Sequence, residues 1–324
     1  MNSVQCELCP KACQLQPGQS GDCRIRVNLD GKLLAVTYGF PCALHLDPVE
    51  KKPLYHFYPG SAALSLATVG CNLHCLNCQN WEISQADPGT VPANELTPAQ
   101  VAELAVQHKS KSVAYTYTDP VVYYEYALDC SRKVREAGKK NILVSAGYIN
   151  RRPLEELCKV TDAATIDLKA MTDKFYREVC GATLKPVLAA LETFKRCGVW
   201  LEVSNLVLPT MNDRDEDFRH LASWLKSNLG ADTPLHFLRF MPHYRMRELP
   251  PTPEATLNRA REIARAEGLR YVYIGNLAQA DASSTRCPQC GKTVIERTGY
   301  RLRDNLLRRG NCPGCGTSIA GVWE

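Results

Sequence analysis

Between residues 63 and 274 the chain alternates strand and helix signals, and that rhythm limits the folds open to it more than any other feature. Short apolar runs fall at 63–69, 112–117, 141–146, 163–168, 200–208, 235–240 and 271–274. Helical stretches separate them at 97–109, 121–137, 153–160, 186–197, 213–228 and 253–267. Thr97-Pro-Ala-Gln100 reads as a capping box for the first helix, and Thr252 as the cap of the last. Gly138, Gly198, Gly230 and Gly268 follow four of the helices as C-terminal stops. Such a series packs as a parallel sheet with right-handed crossovers. With this many repeats a barrel or partial barrel is expected over an open sheet, and its chemistry collects at the C-terminal ends of the strands.

Polar residues recur at those ends. The first strand runs into Gly70 and then Cys71, Cys75 and Cys78, spaced C-x3-C-x2-C. A structural zinc site closes with four protein ligands. A cubane iron–sulfur cluster has four irons, so three thiolates leave one iron open to a small molecule. The alternative on spacing alone is three ligands of a zinc knuckle with a distant fourth. The second strand runs into Thr116-Tyr117-Thr118-Asp119-Pro120, the third into Ser145-Ala146-Gly147-Tyr148, and the fourth into Asp167-Leu168-Lys169. The fifth carries Glu202, Ser204 and Asn205, ahead of Pro209 and Asn212. The sixth carries His236 and Arg239, followed by His243 and Tyr244, and the seventh ends in Gly275-Asn276. Any one of these could be a solvated pair or a packing residue. Several in succession, all facing the cysteine loop, are hard to explain as packing.

The chain has 324 residues, a formal charge of +5 and 45% hydrophobic residues, an ordinary soluble balance that does not by itself argue for nucleic acid. No basic-then-apolar leader opens it and no apolar run is long enough to span a bilayer, so a cytoplasmic location is expected. Such a compartment keeps thiols reduced, so the chain's 16 cysteines are not expected to pair as disulfides. They cluster as metal ligands do. Cys287, Cys290, Cys312 and Cys315 form two C-P-x-C knuckles, each followed by a glycine, the signature of a zinc ribbon, with a rubredoxin-like iron site as the lesser alternative. Arg297, Arg301, Arg303, Arg308, Arg309 and Tyr300 lie between the knuckles. They read as a solvated face or protein contact before a nucleic-acid surface. Cys6, Cys9, Cys13 and Cys23 suit either zinc or an auxiliary iron–sulfur cluster. Cys42 and Cys180 stand alone; Cys130, Cys158 and Cys197, on expected helices, read as small buried hydrophobes.

The cysteine trio after an apolar strand resembles the cluster motif of radical S-adenosylmethionine (radical SAM) enzymes. Residues 63–276 resemble those of the pyruvate formate-lyase-activating type. In that family a T-Y-x-E-P segment holds the amino group of SAM. Thr116–Pro120 matches it with Asp119 in place of Glu. The resemblance assigns Ser145, Asp167 and Lys169 to the ribose and methionine parts of SAM. It assigns Asn205 and His236 as further cofactor contacts, and it puts Gly275 and Asn276 beside the adenine. The family carries an aromatic residue just before its third cysteine, where this chain has Asn77; Trp81 follows closely.

A closer resemblance, over residues 1 to about 280, is to the radical SAM component of the AmmeMemoRadiSam system. Cys6-x2-Cys9-Pro10-x2-Cys13, the run 47–60 and Cys78-Gln-Asn-Trp81 carry it. The resemblance implies AMMECR-type and Memo-type partners and a ferredoxin- or flavodoxin-like reductant, and it names no substrate. Glu50, Lys51, Lys52 and His56 within 47–60 read either as a solvated charged loop or as a functional or partner surface.

The expected architecture is a partial (β/α)6 TIM-like barrel at 61–280, preceded by a cysteine-rich segment and lead-in loop at 1–60 and followed by a zinc ribbon at 281–324. The expected activity is reductive cleavage of SAM at a 4Fe-4S cluster on Cys71, Cys75 and Cys78, giving a 5′-deoxyadenosyl radical that abstracts hydrogen from a substrate. Activation of a glycyl-radical enzyme is the alternative within that class. A non-catalytic multi-zinc adaptor is the alternative outside it.

Overall fold

The computed structural model describes residues 3–277 and 280–324. Ala278 and Gln279, next to the boundary expected at 280, lie outside the described residues, as do the first two residues of the N-terminus.

Fifteen strands are described. Two hairpins open the chain: β1 (Val4–Gln5) with β2 (Gln14–Leu15), and β3 (Arg26–Leu29) with β4 (Lys32–Ala35). The central sheet holds β5 (Ala43–Pro48), β6 (Ala62–Ala67), β7 (Ser112–Tyr115), β8 (Lys140–Ser145), β9 (Ala163–Asp167), β10 (Trp200–Val207), β11 (Leu235–Arg239) and β12 (Val272–Gly275). The last three, β13 (Thr285–Arg286), β14 (Thr293–Thr298) and β15 (Arg301–Asn305), form a small antiparallel sheet.

Strands β6 to β12 are parallel and lie side by side in chain order, so every crossover steps the same way across the sheet. Their residues are buried almost throughout, as strands covered on both faces must be. The seven parallel strands are the seven that the apolar runs mark, one more than the six repeats of the expected partial (β/α)6 barrel. An eighth strand, β5, pairs antiparallel with β6 from Ala43↔Ala67 to Pro48↔Ala62. It arises from a stretch that reads as a lead-in loop, because it shows no alternation of polar and buried apolar residues: Leu44 and Leu46 are exposed and only Asp47 is buried along it.

The outer helices bury one stripe each. In Tyr124–Glu136 the buried set includes Tyr126, Ala127, Cys130 and Val134. Thr97 caps Pro98–Gln107 with a full capping box: Gln100 N–H donates to its hydroxyl (3.3 Å), and Thr97 N–H donates to the Gln100 side chain (2.8 Å). Thr252 does not cap the last long helix, which starts at Glu254 with Pro253 before it. Its hydroxyl accepts from Phe240 N (2.9 Å) and donates to Val207 O (2.5 Å), stitching β10 to β11. Cys130 and Cys158 are buried as expected, whereas Cys197 ends its helix in solvent.

The inner face of the sheet is closed from below by residues 49–58. Ala63, Ala114 and Ala163 lie on β6, β7 and β9, and their small side chains leave room for Val49, Leu54 and Phe57. Glu202 on β10 is fully buried and pins this plug by accepting from Tyr55 N (3.1 Å) and His56 N (2.7 Å). It also meets His236 Nε2 at 2.7 Å. Glu50, Lys52 and His56 therefore belong to no solvated loop: all three are buried. Glu50 pairs with Arg297 Nε (3.3 Å) and Lys52 with Asp47 (2.6 Å). A charge taken out of water needs such a partner. Lys51 alone stays half-exposed and reaches Asp47 at 2.9 Å.

The C-terminal sheet shares a core with this plug. Val294, Ile295 and Ile319 pack with Tyr55, Tyr271 and Tyr273. Val322 N donates to His56 O and Tyr58 N to Val322 O, both at 2.7 Å. Arg297, grouped by sequence with a basic face, is fully buried and donates to Tyr55 O (2.6 Å) and Thr285 Oγ1 (3.0 Å). Arg301, Arg303, Arg308 and Arg309 are exposed. Among the described residues no helix is long and apolar enough to cross a membrane.

Candidate active site

The C-terminal ends of the parallel strands surround a cavity of about 390 Å³, and Cys71, Cys75 and Cys78 line it. The loop that carries them starts at Gly70, whose φ is +91°. A Cβ there would meet Ile25 Cγ1 at 2.3 Å and Cys23 O at 2.9 Å, so only glycine lets the N-terminal hairpins sit against the turn. The loop is tied on several sides. His74 N donates to Cys180 O and Leu76 N to Val179 O, both at 2.9 Å. Asn72 Nδ2 donates to Tyr148 O and Asn80 Nδ2 to Tyr117 O, both at 2.7 Å. These bonds fix the backbone of the loop that presents the three sulfurs.

Burial pushes the Cys71 and Cys78 thiols up, so anionic sulfur at these positions calls for a cation in the cavity. Cys75 differs. A hydrogen bond from Cys180 brings it down to about 7 against the effect of burial, and the Lys169 ammonium assists. Cys180, isolated in sequence, thus belongs to the cysteine loop in space. Among the described residues only Cys287, Cys290, Cys312 and Cys315 bring their ligand atoms within 4.8 Å of one another. The three cavity sulfurs stand further apart than ligands of one ion, as thiolates on separate irons of a cluster must. The donor set fits a three-thiolate cluster with one iron left open.

Asp119, Ser145, Asp167, Lys169 and His236 line the same cavity, as do Gly275 and Asn276. Asp119 is buried, and burial raises its pKa. Ser145 Oγ lies 3.0 and 3.1 Å from its two oxygens, while Ala146 N (2.9 Å) and Val121 N (3.1 Å) donate to it. Lys169 Nζ donates to Asp167 at 2.6 Å, and Ser204 Oγ donates to the other Asp167 oxygen. Burial works against the Lys169 ammonium, but Asp167 and Cys75 beside it raise its pKa overall. Asn205 is set back from the cavity. Its amide donates to Leu168 O (2.7 Å) and Lys169 O (3.2 Å) and so shapes the loop that presents Lys169. Trp81 stacks on Tyr244, centroids 5.1 Å apart, and does not line the cavity; Asn77 does.

Residues 65–224 match the radical SAM superfamily. A protein of Methanocaldococcus jannaschii that bears only the description uncharacterized is 45% identical over 320 residues, 98% of this chain and 95% of that one. The chain belongs to the radical SAM superfamily. Radical SAM proteins carry a 4Fe-4S cluster and bind SAM, which the three cavity thiols and the space beside them accommodate. The pyruvate formate-lyase-activating enzyme of Clostridium pasteurianum is 24% identical over 164 residues, 49% of this radical SAM chain and 67% of that enzyme. A radical SAM methyltransferase from Sphaerobacter thermophilus shares the fold with a TM-score of 0.54 at 15% identity, over 68% of each chain. Streptococcus suis SuiB bound to S-adenosylmethionine does so at 0.52 and 14%, over 70% of this chain and 53% of that one.

The cavity has a second wall, built from the 47–60 stretch that the sequence left open between a solvated loop and a functional surface. Glu50, Lys52 and Tyr55 of the plug floor it, and Tyr300 from the β14–β15 turn closes one side. Tyr300 Oη donates to Asn276 Oδ1 at 3.0 Å. Lys52 sits 4.5 Å from the centre of the Tyr117 ring, whose hydroxyl donates to Asp47. Burial lowers Lys52 to about 8, and Asp47 opposes that pull. The signal for this wall was the density of charge and aromatic residues in 47–60, which has a reason only once the plug is seen.

Proposed function

We propose that the protein reductively cleaves SAM at a 4Fe-4S cluster held by Cys71, Cys75 and Cys78, and that the radical so formed takes a hydrogen atom from a substrate. The observation that carries this reading is one cavity lined jointly by three thiols and by Asp119, Ser145, Asp167 and Lys169. When bound, the cluster supplies the electron that splits SAM into methionine and a 5′-deoxyadenosyl radical. The chain's own residues bind and orient. Asp119, steadied by Ser145 and two backbone N–H groups, accepts from the methionine amino group. Lys169 offers its ammonium to the methionine carboxylate, and Asp167 accepts from ribose hydroxyls. His236, Gly275 and Asn276 flank the adenine, and Asn205 positions the Lys169 loop. The buried walls keep water from the reacting centre.

The consecutive strand order supports reading the sheet as an incomplete barrel. The C-terminal cysteines support a zinc ribbon: Cys287 and Cys315 Sγ lie 3.6 Å apart, and Cys290 and Cys312 Sγ 3.7 Å apart. Ligands about 2.3 Å from one zinc would be separated by ~3.8 Å along a tetrahedron edge. A ferredoxin- or flavodoxin-like protein would supply the electron in the cytoplasm. The N-terminal motifs favour action with AMMECR-type and Memo-type partners. Likeness to an activating enzyme supports a second reading, in which a glycyl-radical enzyme is the substrate. A non-catalytic zinc adaptor leaves the lined cavity without a reason.

The test is anaerobic reconstitution with iron and sulfide, followed by dithionite and SAM. The expected product is 5′-deoxyadenosine, lost in Cys75→Ala. Turnover that survives that substitution rejects the assignment.

A further inference from the structure

The N-terminal cysteines sit in two short hairpins. Cys6 follows β1, Cys13 precedes β2, and Cys9 lies in the turn between them; Cys23 lies in the turn before β3. Cys6 N donates to Cys13 O at 2.9 Å, and left-handed turns at Ala12 and Arg24 fold the loops inward. All four cysteines line one void, which Asn72 also walls.

The chain contains its own reference for a single-ion site. In the C-terminal set the sulfurs approach to 3.6 and 3.7 Å, and the four ligand atoms lie within 4.8 Å of one another. Among the described residues no other three thiol, imidazole or carboxylate groups do so. The N-terminal sulfurs are therefore not gathered as the C-terminal four are, and they line a small void of about 20 Å³. In this arrangement no three of them are close enough to share one ion of zinc's size, from which each thiolate would lie about 2.3 Å. Thiolates on different irons of a cluster are held apart by the cluster itself.

The sulfurs are also dressed as cluster ligands are. Asp22 N donates to Cys13 Sγ at 3.5 Å. Backbone N–H groups of Lys11 and of Ile25 and Arg26 donate to Cys9 and Cys23. Cys9 further accepts from the side chain of Asn72, the residue that follows Cys71. Such N–H donors orient cluster thiolates and tune their potential. The hairpins are seated firmly against the first site: Asp22 meets His74 Nε2 at 2.9 Å, and Lys11 Nζ donates to Gly181 O at 2.6 Å.

We propose that Cys6, Cys9, Cys13 and Cys23 hold a second iron–sulfur cluster, one residue away from the first along Asn72. Four ligands close this cluster, so it binds no SAM. It is a redox-active neighbour of the open one.

The test uses the full chain with Cys71, Cys75 and Cys78 all changed to Ala, reconstituted anaerobically with iron and sulfide. The expected result is iron and sulfide in equal amounts, roughly four of each for a cubane, with an electron paramagnetic resonance signal after dithionite. Adding Cys9→Ser and Cys23→Ser removes both. One additional zinc with no iron or sulfide overturns the proposal. Because the first set is absent from this variant, failure of SAM cleavage in the unmodified chain cannot imitate either outcome. If the variant does not fold, the unmodified protein decides. Two clusters give roughly eight irons per chain, and one gives roughly four.

Discussion

Two cysteine sets in this molecule use similar chemistry for opposite ends. Cys287, Cys290, Cys312 and Cys315 are drawn together at the tip of a small antiparallel sheet, with sulfur pairs at 3.6 and 3.7 Å. Cys71, Cys75 and Cys78 are held apart around a cavity, with no fourth ligand offered by the loop. The first set completes its coordination from the protein and can only hold a fold together. The second leaves a position open and can bind a reactant. The difference lies in what surrounds the sulfurs. The closed set is knotted by its own hairpin turns: Gly291 N donates to Cys287 O and Gly316 N to Cys312 O, both at 2.9 Å. The open set is tied outward, to Cys180, Tyr148 and Tyr117.

Removing one thiolate from each set is the sharpest way to break the comparison. Cys75→Ala should end 5′-deoxyadenosine formation while leaving thermal unfolding little changed. Cys312→Ala should release the C-terminal metal and loosen β13–β15, seen as faster hydrogen exchange there, with cluster iron retained. Equal effects on both readouts would erase the distinction.

The next largest effect concerns how the closed module is joined to the open site. Arg297→Met strands the buried Glu50 carboxylate and should lower stability by about 3–5 kcal/mol in urea unfolding. Adding Glu50→Gln should recover much of that loss.

Acid should act at the same junction. His56 is buried between Ala320 O (Nδ1, 2.6 Å) and Tyr273 Oη (Nε2, 2.5 Å). A carbonyl only accepts, so Nδ1 carries the proton and Nε2 of the neutral ring accepts from the tyrosine. Burial lowers the His56 pKa from 6.5 to about 4; Glu202 opposes the shift, and Arg297 and His236 add to it. The folded state then binds fewer protons than the unfolded chain between those values. Its contribution is complete above pH 6.5 and is lost as pH falls towards 4, by roughly 3 kcal/mol in all. Urea midpoints across that range should fall with acid and flatten in His56→Gln.

The smallest expected change tests the reactant side. Asp119→Asn removes the charge but keeps the shape, and should weaken SAM binding by about 1.5–3 kcal/mol. Equilibrium binding to the reconstituted protein measures it. An unchanged affinity would move the amino-group contact elsewhere.

Much of this molecule is legible in one dimension, for local reasons. Thr97 and Gln100 announce a capping box because both partners lie within one helical turn. The C-P-x-C pairs announce a closed metal site because each knuckle is a turn. Asp119, Ser145, Asp167 and Lys169 could be gathered because strand ends in a parallel sheet share one edge. Long-range partners left no such trace. Thr252 looks like a helix cap and is a stitch between strands. Asn205 sits on a strand end yet turns away from the cavity to hold the Lys169 loop. Cys180 looks solitary and meets Cys75. Glu50, Lys52 and His56 read as a solvated loop or as a functional surface, and all three are buried.

What the sequence determined by itself was the repeat of strand and helix, the edge on which chemistry would gather, and the grouping of cysteines into sets of four, three and four. Each follows from period, turn chemistry or ligand spacing, which act over a few residues. Tertiary structure alone decided that residues 49–58 would plug the sheet, with Arg297 arriving 247 residues after Glu50 to pair with it. It also decided how the N-terminal cysteines are arranged, which their spacing left open. Those outcomes depend on mates brought from far along the chain, and no local pattern encodes the partner of a buried charge.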